Sequence, residues 1–519
     1  MATAPVRERL VPDTISTDRS FFGHPRGLST LFFSEMWERF SYYGMRGFLI
    51  LYMSTAASLG GLGLDRATAA VIYGVYTSGV YLANIPGGWL ADRVLGQRKA
   101  VLWGGILIAS GHFSLAIAST LTFYLGLLLV VLGTGLLKPN ISVIVGQLYA
   151  QQDVRRDAAF SLFYQGINLG AFLGPIITGF LVQDERFRSM LAGWGMNPNS
   201  AWHWGFGAAG VGMTLGLVQY VLGWRYLGTA GLHPPTARSA EQYAQAKAQA
   251  IKWVSIGAVI LLLAAVAIAT GMVTVTANRV TTVYTILLFV VTFAIFWSIF
   301  SRAEWTAVER GRLYMIGMYF IAAALFWSVF EQAGSTLNLF AVDKTNNVAP
   351  VYGAFPSVWW QSLNAVLIVL LAPLFVVMFM RLGTRQPSTP TKFALGLIGV
   401  GLGFLYLVPG AQIAETGVKV GVSWLFMVYL IHTLAELWLS PIGLSAMTKL
   451  APEKIMSLVM GIWFLGASIG NFLGGQAASF YETLPLPTLL IAVSVLPIAV
   501  GVAMLVFRRK LTELQGGIQ

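Results

Sequence analysis

The chain has 519 residues, of which 56% are hydrophobic and only 10% charged, against about 25% charged in soluble domains. Apolar runs of about 20 residues recur along its whole length, which excludes a soluble globular fold and indicates an all-α polytopic membrane protein. It contains no cysteine, so structural disulfides and thiol chemistry are excluded.

Residues 1–28 are polar, with charges scattered from Arg7 to Arg26, and do not resemble a signal peptide. They are read as a cytoplasmic N-terminal tail. Membrane-spanning helices are expected at residues 29–54, 68–90, 99–118, 121–148, 158–183 and 202–226. Two more are expected at 250–271 and 280–301, then six at 311–341, 356–380, 391–410, 422–448, 455–479 and 485–507, fourteen in all. The expected domains are a six-helix bundle at 29–228, a linker at 229–249 and an inserted helix pair at 250–301. A second six-helix bundle at 302–508 and a cytoplasmic C-terminal tail at 509–519 complete the chain.

The net charge of +12 is explained by topology. With the N-terminus in the cytoplasm, 24 of the 33 Lys and Arg residues fall in cytoplasmic segments or adjoining span ends, and six fall opposite. This places both termini in the cytoplasm and assigns the basic balance to anionic membrane lipid rather than nucleic acid.

The first span carries the densest charge. Leu31–Met53 includes Glu35, Glu38, Arg39 and Arg46, and charged groups in hydrocarbon are expected to face one another or an aqueous cavity. Glu35, Glu38 and Arg39 are related by i,i+3 and i,i+4 spacing, so they share a helix face with Tyr42. The next charged element is the turn GGWLADRVLGQRKA, residues 87–100, where Asp92, Arg93, Arg98 and Lys99 are candidates for ion pairs that gate the cytoplasmic side. Topological charge alone is the competing explanation.

Span four holds Lys138 immediately before Pro139 in GTGLLKPN, about ten apolar residues from the nearest loop, too deep to snorkel. It needs an anionic partner, which a substrate carboxylate or Glu35 and Glu38 would supply. Asn168 in FYQGINLG offers a donor and an acceptor, either to a ligand or as packing glue. Further on, Glu331 sits in the aromatic FWSVFEQAGST, and Gln361 and Asn364 share one face. Glu436 lies four residues beyond His432 in HTLAELWLSPIG. A histidine near a helix end usually makes a local hydrogen bond, and Trp463 lines a cavity or packs between helices. No phosphate-binding loop, dinucleotide fingerprint or metal-ligand spacing is present, so ATP hydrolysis, a metal and a cofactor are not expected.

Together these residues resemble the proton-dependent oligopeptide transporter family of the major facilitator superfamily. Residues Glu35-Met-Trp-Glu38-Arg39-Phe40-Ser-Tyr42-Tyr43-Gly44 fit its ExxERFxYYG pattern throughout, and GTGLLKPN, FYQGINLG, FEQAGST and AELWLSPIG look like its other marks. The resemblance implies the major facilitator fold, two six-helix bundles plus a central helix pair. It also implies a symporter, not an enzyme, in the cell inner membrane, with di- and tripeptides as substrates and protons as coupling ion. By carry-over, Arg39, Tyr43 and Lys138 hold the peptide carboxylate, and Asn168, Asn364 and Glu436 hold its amino terminus. Glu35, Glu38, Arg39 and Glu331 couple protons, while Tyr81, Glu331 and Trp463 line the cavity. The second span has no histidine, so a proton route through one is not implied. Each chain is expected to contain its own pathway and to function as a monomer. Nitrate or a peptide-like drug is the alternative solute, but nitrate leaves Glu436 and the Glu-x-x-Glu pair without a role. A membrane enzyme or a channel fits less well.

Overall fold

The computed structural model describes residues 17–150, 152–234, 240–274, 276–302 and 304–517. The start of the N-terminal tail, Arg238 in the linker and the last two residues of the C-terminal tail lie outside them. All fourteen expected spans fall on helix. The main elements are α1 (Arg26–Ser54), α2 (Arg66–Leu82), α3 (Asn84–Leu90), α4 (Gln97–Leu115), α5 (Thr120–Gln147), α6 (Arg155–Gln183) and α7 (Ala201–Gly223). The middle of the chain forms α8 (Ala240–Ala269) and α9 (Ala277–Phe300). There follow α10 (Ala307–Phe330), α11 (Thr336–Asp343), α12 (Trp360–Leu382), α13 (Thr389–Glu415), α14 (Val422–Leu450), α15 (Met456–Ala478) and α16 (Leu486–Val506). The one sheet among the described residues is a two-stranded hairpin, Val348–Ala349 with Gly353–Ala354.

Eleven helical segments among the described residues are long and apolar enough to cross a membrane. The other three expected spans are helical for reasons that also explain why they miss that mark. One is α1, with its charges; one is interrupted at Ala83 between α2 and α3; the third is α4, which opens on Gln97-Arg98-Lys99. Helices α8 and α9 belong to the eleven, and few of their described side chains are buried, as expected of helices with a wide face toward lipid.

Contacts group the chain into two compact units. One takes Met1–Tyr42, Ala83–Gly174 and Phe206–Thr274; the other takes Tyr43–Leu82, Pro175–Gly205 and Val275–Gln519. The core of the first is an apolar cluster of Leu28, Leu31, Ile108, Leu137, Ile141, Ile144, Phe163 and Met213. Glycines set its helix spacing. A Cβ on Gly104 would lie 2.6 Å from the Gly133 carbonyl oxygen, and one on Gly111 would lie 2.8 Å from that of Gly126, so α4 and α5 pack backbone to backbone. Pro139 has no N–H for the Gly135 carbonyl four residues back, yet α5 runs on to Gln147. That carbonyl is met by Gly87 of α3, whose added Cβ would sit 2.0 Å from it.

In the second unit α2 and α15 make an equally close contact. A Cβ on Gly74 would lie 2.7 Å from the Gly475 Cα. At one end of α2, Arg66 Nη1 and Nη2 reach Asp343 Oδ2 and Oδ1 at 2.5 and 3.1 Å, and Arg66 Nε lies 3.4 Å from Glu482 Oε1.

Candidate functional site

In the first unit, the face predicted on α1 exists. Arg39 Nε lies 2.9 Å from Glu35 Oε1 and 2.5 Å from Glu38 Oε2, so one guanidinium nitrogen serves two carboxylates. Glu38 is completely buried. Lys138 on α5 acts electrostatically on Glu38, and the Arg39 guanidinium carbon lies 5.7 Å from the Tyr42 ring centre. Two buried anions and two cations balance, which is the condition for keeping such charges out of water. Any added anion, such as a substrate carboxylate, upsets that balance unless a proton joins it. Helix α6 passes hard against α1 here, because a Cβ on Gly170 would lie 2.1 Å from the Met36 carbonyl oxygen. Asn168, two residues earlier and buried, donates its amide to the Tyr164 carbonyl at 3.0 Å, so part of its capacity is used within its own helix.

The second unit holds a separate polar cavity lined by Tyr43, Arg46, Tyr81, Trp327, Phe330, Glu331, Ala333, Gln361, Asn364, Tyr429, His432 and Glu436. Its volume is about 80 Å³, room for a few waters and well below the roughly 300–1,000 Å³ of a ligand pocket. Arg46 Nη1 donates to Glu331 Oε2 at 2.5 Å, with both side chains 6% exposed, and the Arg46 guanidinium lies 5.3 Å from the Tyr43 ring centre. Asn364 Nδ2 donates to Glu436 Oε2 and to Thr433 Oγ1, both at 3.0 Å, which fixes the carboxylate's direction.

Glu331 is presented by a break in the chain. The sequence suggests one span over 311–341, whereas α10 stops at Phe330, a tight turn runs Glu331–Gly334, and α11 begins at Thr336. Backbone carbonyls at the turn find side-chain partners, as such a break requires in lipid. Gln361 donates to the Ala333 carbonyl and Gln332 Nε2 to the Ser328 carbonyl at 2.8 Å, while Thr336 Oγ1 donates to Gln332 Oε1 at 2.6 Å and holds that side chain in place. Gly334 has no side chain because the Tyr73 hydroxyl occupies its place: a Cβ there would lie 1.8 Å from it.

The remaining sequence candidates divide. Tyr81 lines the cavity, and His432 lines it too; in place of the expected local bond, its Nε2 lies 3.0 Å from the Val400 carbonyl of α13, so it joins two helices. Trp463 is not among the lining residues. Its ring fills the space over Gly443 and meets Phe393 edge-on at 6.4 Å, the packing alternative. In the charged turn, Arg98 is buried and donates Nε to the Ala230 carbonyl and Nη2 to the Gly228 carbonyl, both at 2.5 Å, tying the turn to the segment after α7. Asp92 Oδ1 accepts from Gln97 Nε2 at 2.9 Å; burial pushes its carboxyl above the usual range, partly offset by that bond. The Arg93 guanidinium lies 5.4 Å from the Trp89 ring centre, and Lys99 is exposed. Arg46 is visible in the sequence as a charge in the first span, but nothing in its neighbourhood gives it a role. The available signal is its spacing, seven residues beyond Arg39 and so on the same helix face.

The POT family model matches residues 98–490. The chain is 40% identical over 473 residues to the uncharacterized transporter YclF of Bacillus subtilis (strain 168), covering 90% of each. It is also 36% identical over 512 residues to a di-/tripeptide transporter of Lactococcus lactis subsp. cremoris, covering 97% of this chain and 99% of that one. This chain belongs to the POT family. Among solved POT structures, that of a peptide transporter with sulfate superposes with a TM-score of 0.88 at 38% identity, covering 98% and 99% of the two chains. A POT family transporter in complex with 5-aminolevulinic acid superposes with a TM-score of 0.87 at 34% identity, covering 97% of this chain and all of that one. As a POT protein, the chain is a multi-pass membrane transporter of the major facilitator fold, not an enzyme.

Proposed function

We propose that this POT protein is a proton-coupled symporter that imports di- and tripeptides by alternating access. The observation that carries the reading is the near full-length match to a relative named a di-/tripeptide transporter, in a chain that buries ion pairs in its spans. In this reading fourteen helices span the cell inner membrane with both termini in the cytoplasm. Two six-helix bundles flank the inserted pair, and the protein works as a monomer without a cofactor, with protons as coupling ion.

The chemistry follows from the fixed charge separation of a peptide. Arg39, Lys138 and Tyr43 bind the carboxylate; Glu436, aligned by Asn364, binds the ammonium together with Asn168. Charge-assisted bonds to the two ends orient a zwitterion without reading its side chains. Glu35, Glu38 and Glu331 hold protons in exchange for their bonds to Arg39 and Arg46, so proton and peptide bias one conformational equilibrium. The turn from Asp92 to Lys99 moves with the cytoplasmic gate.

The test is uptake of a labelled dipeptide by proteoliposomes with an imposed pH gradient, with and without a protonophore. Accumulation that needs the gradient is expected, and Glu38→Gln should abolish it while leaving peptide exchange across equal pH. Accumulation indifferent to the gradient would overturn the coupling, and a failure of every di- and tripeptide to be taken up would overturn the substrate. A ligand such as 5-aminolevulinic acid, bound by one relative, also has separated amino and carboxylate ends and is the compound to try next.

A further inference from the structure

The inserted helix α9 is exposed except along one stripe, in which Thr281, Tyr284 and Leu288 turn toward the protein at i, i+3 and i+7 spacing. From that stripe the Tyr284 hydroxyl reaches Ser78 Oγ of α2 at 3.0 Å, and its ring lies 5.5 Å from that of Phe472 on α15. Ser78 Oγ lies 2.8 Å from Ser468 Oγ of α15, and Ser468 Oγ also donates to the Ser78 carbonyl at 2.9 Å. Both serines are completely buried.

One set of donors uses all three contacts. Ser468 donates to the carbonyl, so Ser78 donates to Ser468, and Tyr284 donates to Ser78. Every hydroxyl hydrogen is used, and the chain of bonds joins three helices. Four residues before Ser78, Gly74 meets Gly475 with no space between the backbones. At these two levels the contact between α2 and α15 is made by small groups, and α9 reaches it with the Tyr284 side chain. Tyr284 is bonded to Ser78 of α2 through its hydroxyl and packed on Phe472 of α15 through its ring, so when α2 and α15 part it gives up one of the two, and a hydroxyl that leaves Ser78 finds no acceptor in lipid.

We infer that Tyr284 is a clasp through which the inserted helix holds α2 and α15 together, a positioning residue for the conformational step of transport. It rests on the alternating-access reading only in what the parting of α2 and α15 is for. Through this clasp α9 weights the equilibrium toward the state in which α2 and α15 touch. Removing the hydroxyl leaves both serine donors satisfied, so the effect is a shift in population and not a loss of fold.

The absence of cysteine permits spin labels at Ala57→Cys and Thr483→Cys, which lie at the same end of the unit as Arg66 and Glu482. Their distance distribution is measured in peptide-free protein, so the result does not depend on what is transported. Tyr284→Phe keeps the ring against Phe472 and should raise the long-distance fraction about threefold, the usual size for one hydrogen bond between membrane helices. Ser78→Ala should shift it the same way, and adding Tyr284→Phe to Ser78→Ala should add nothing further. Thr281→Val, on the same stripe but touching Gln476 only at 3.5 Å, should leave the distribution as it is. A distribution unchanged by Tyr284→Phe, full additivity with Ser78→Ala, or an equal shift from Thr281→Val would each overturn the inference.

Discussion

Glu331→Gln removes the counter-charge of a buried guanidinium that cannot shed its proton. Stranding one member of a buried pair costs about 3–5 kcal/mol. The amide oxygen of glutamine retains one hydrogen bond to Arg46 Nη1, which returns about 1 kcal/mol. The Tyr43 ring, 5.3 Å from the guanidinium, already contributes in the parent protein and does not change the difference. The expected loss is therefore about 2–4 kcal/mol. Adding Arg46→Met removes the stranded charge and should bring the double variant back to within about 1 kcal/mol of the parent, because a buried pair replaced on both sides is often nearly neutral. Denaturant unfolding in detergent of the parent, both single variants and the double variant gives the coupling directly. If the double variant loses the sum of the two single losses, the pair is not a coupled unit and the account of the cavity's electrostatics fails.

Three further outcomes follow. Glu436→Gln should weaken binding of a free-amino dipeptide by about 10- to 100-fold, the worth of one charged hydrogen bond, and leave an N-acetylated analogue unaffected; equal losses for both would remove Glu436 from amine recognition. Gly87→Ala places a methyl 2.0 Å from the Gly135 carbonyl oxygen, and since both partners are backbone the cost should be about 3 kcal/mol; an unchanged unfolding midpoint would contradict the packing described. Arg155 bonds hold the Asp153 carboxyl below its ordinary value. Its stabilising contribution is thus complete above about pH 4 and lost as pH falls through the lowered value. Asp153→Asn should be less stable than the parent at pH 7, with the gap closing on acidification; a gap independent of pH would refute it.

The fold was legible because its signals are local. Runs of apolar residues mark helices in lipid whatever their neighbours do, and the ExxERFxYYG face of α1 needs only the helical repeat to bring Glu35, Glu38 and Arg39 together. Lys138 was legible for a related reason: a deep lysine must be paired. What the sequence did not carry was any contact joining distant segments. Arg66 counted only as a topological charge, and its bond to Asp343 crosses 277 residues. Arg46 was conspicuous but its partner, 285 residues away, was not. The turn at Glu331 was hidden for another reason. Phe330 and Thr336 read as one apolar helix, and the phenol of Tyr73 that packs against the turn at Gly334 comes from another helix and does not show in the local pattern. Trp463 shows the limit from the other side, since only Gly443 decides whether its ring packs or faces a cavity.

Tyr73 and Gly334 share one volume, and this ties two positions far apart in the chain. A methyl at 334 has nowhere to go while the hydroxyl is present, and a shorter residue at 73 leaves a void against the turn that carries Glu331. Neither position can drift by itself. Phenylalanine at 73 would remove the oxygen but leave the ring carbon that bore it 2.8 Å from a methyl at 334, so alanine there also needs the ring to shift. The break between α10 and α11 is thus guarded by a steric covenant between two residues on different helices.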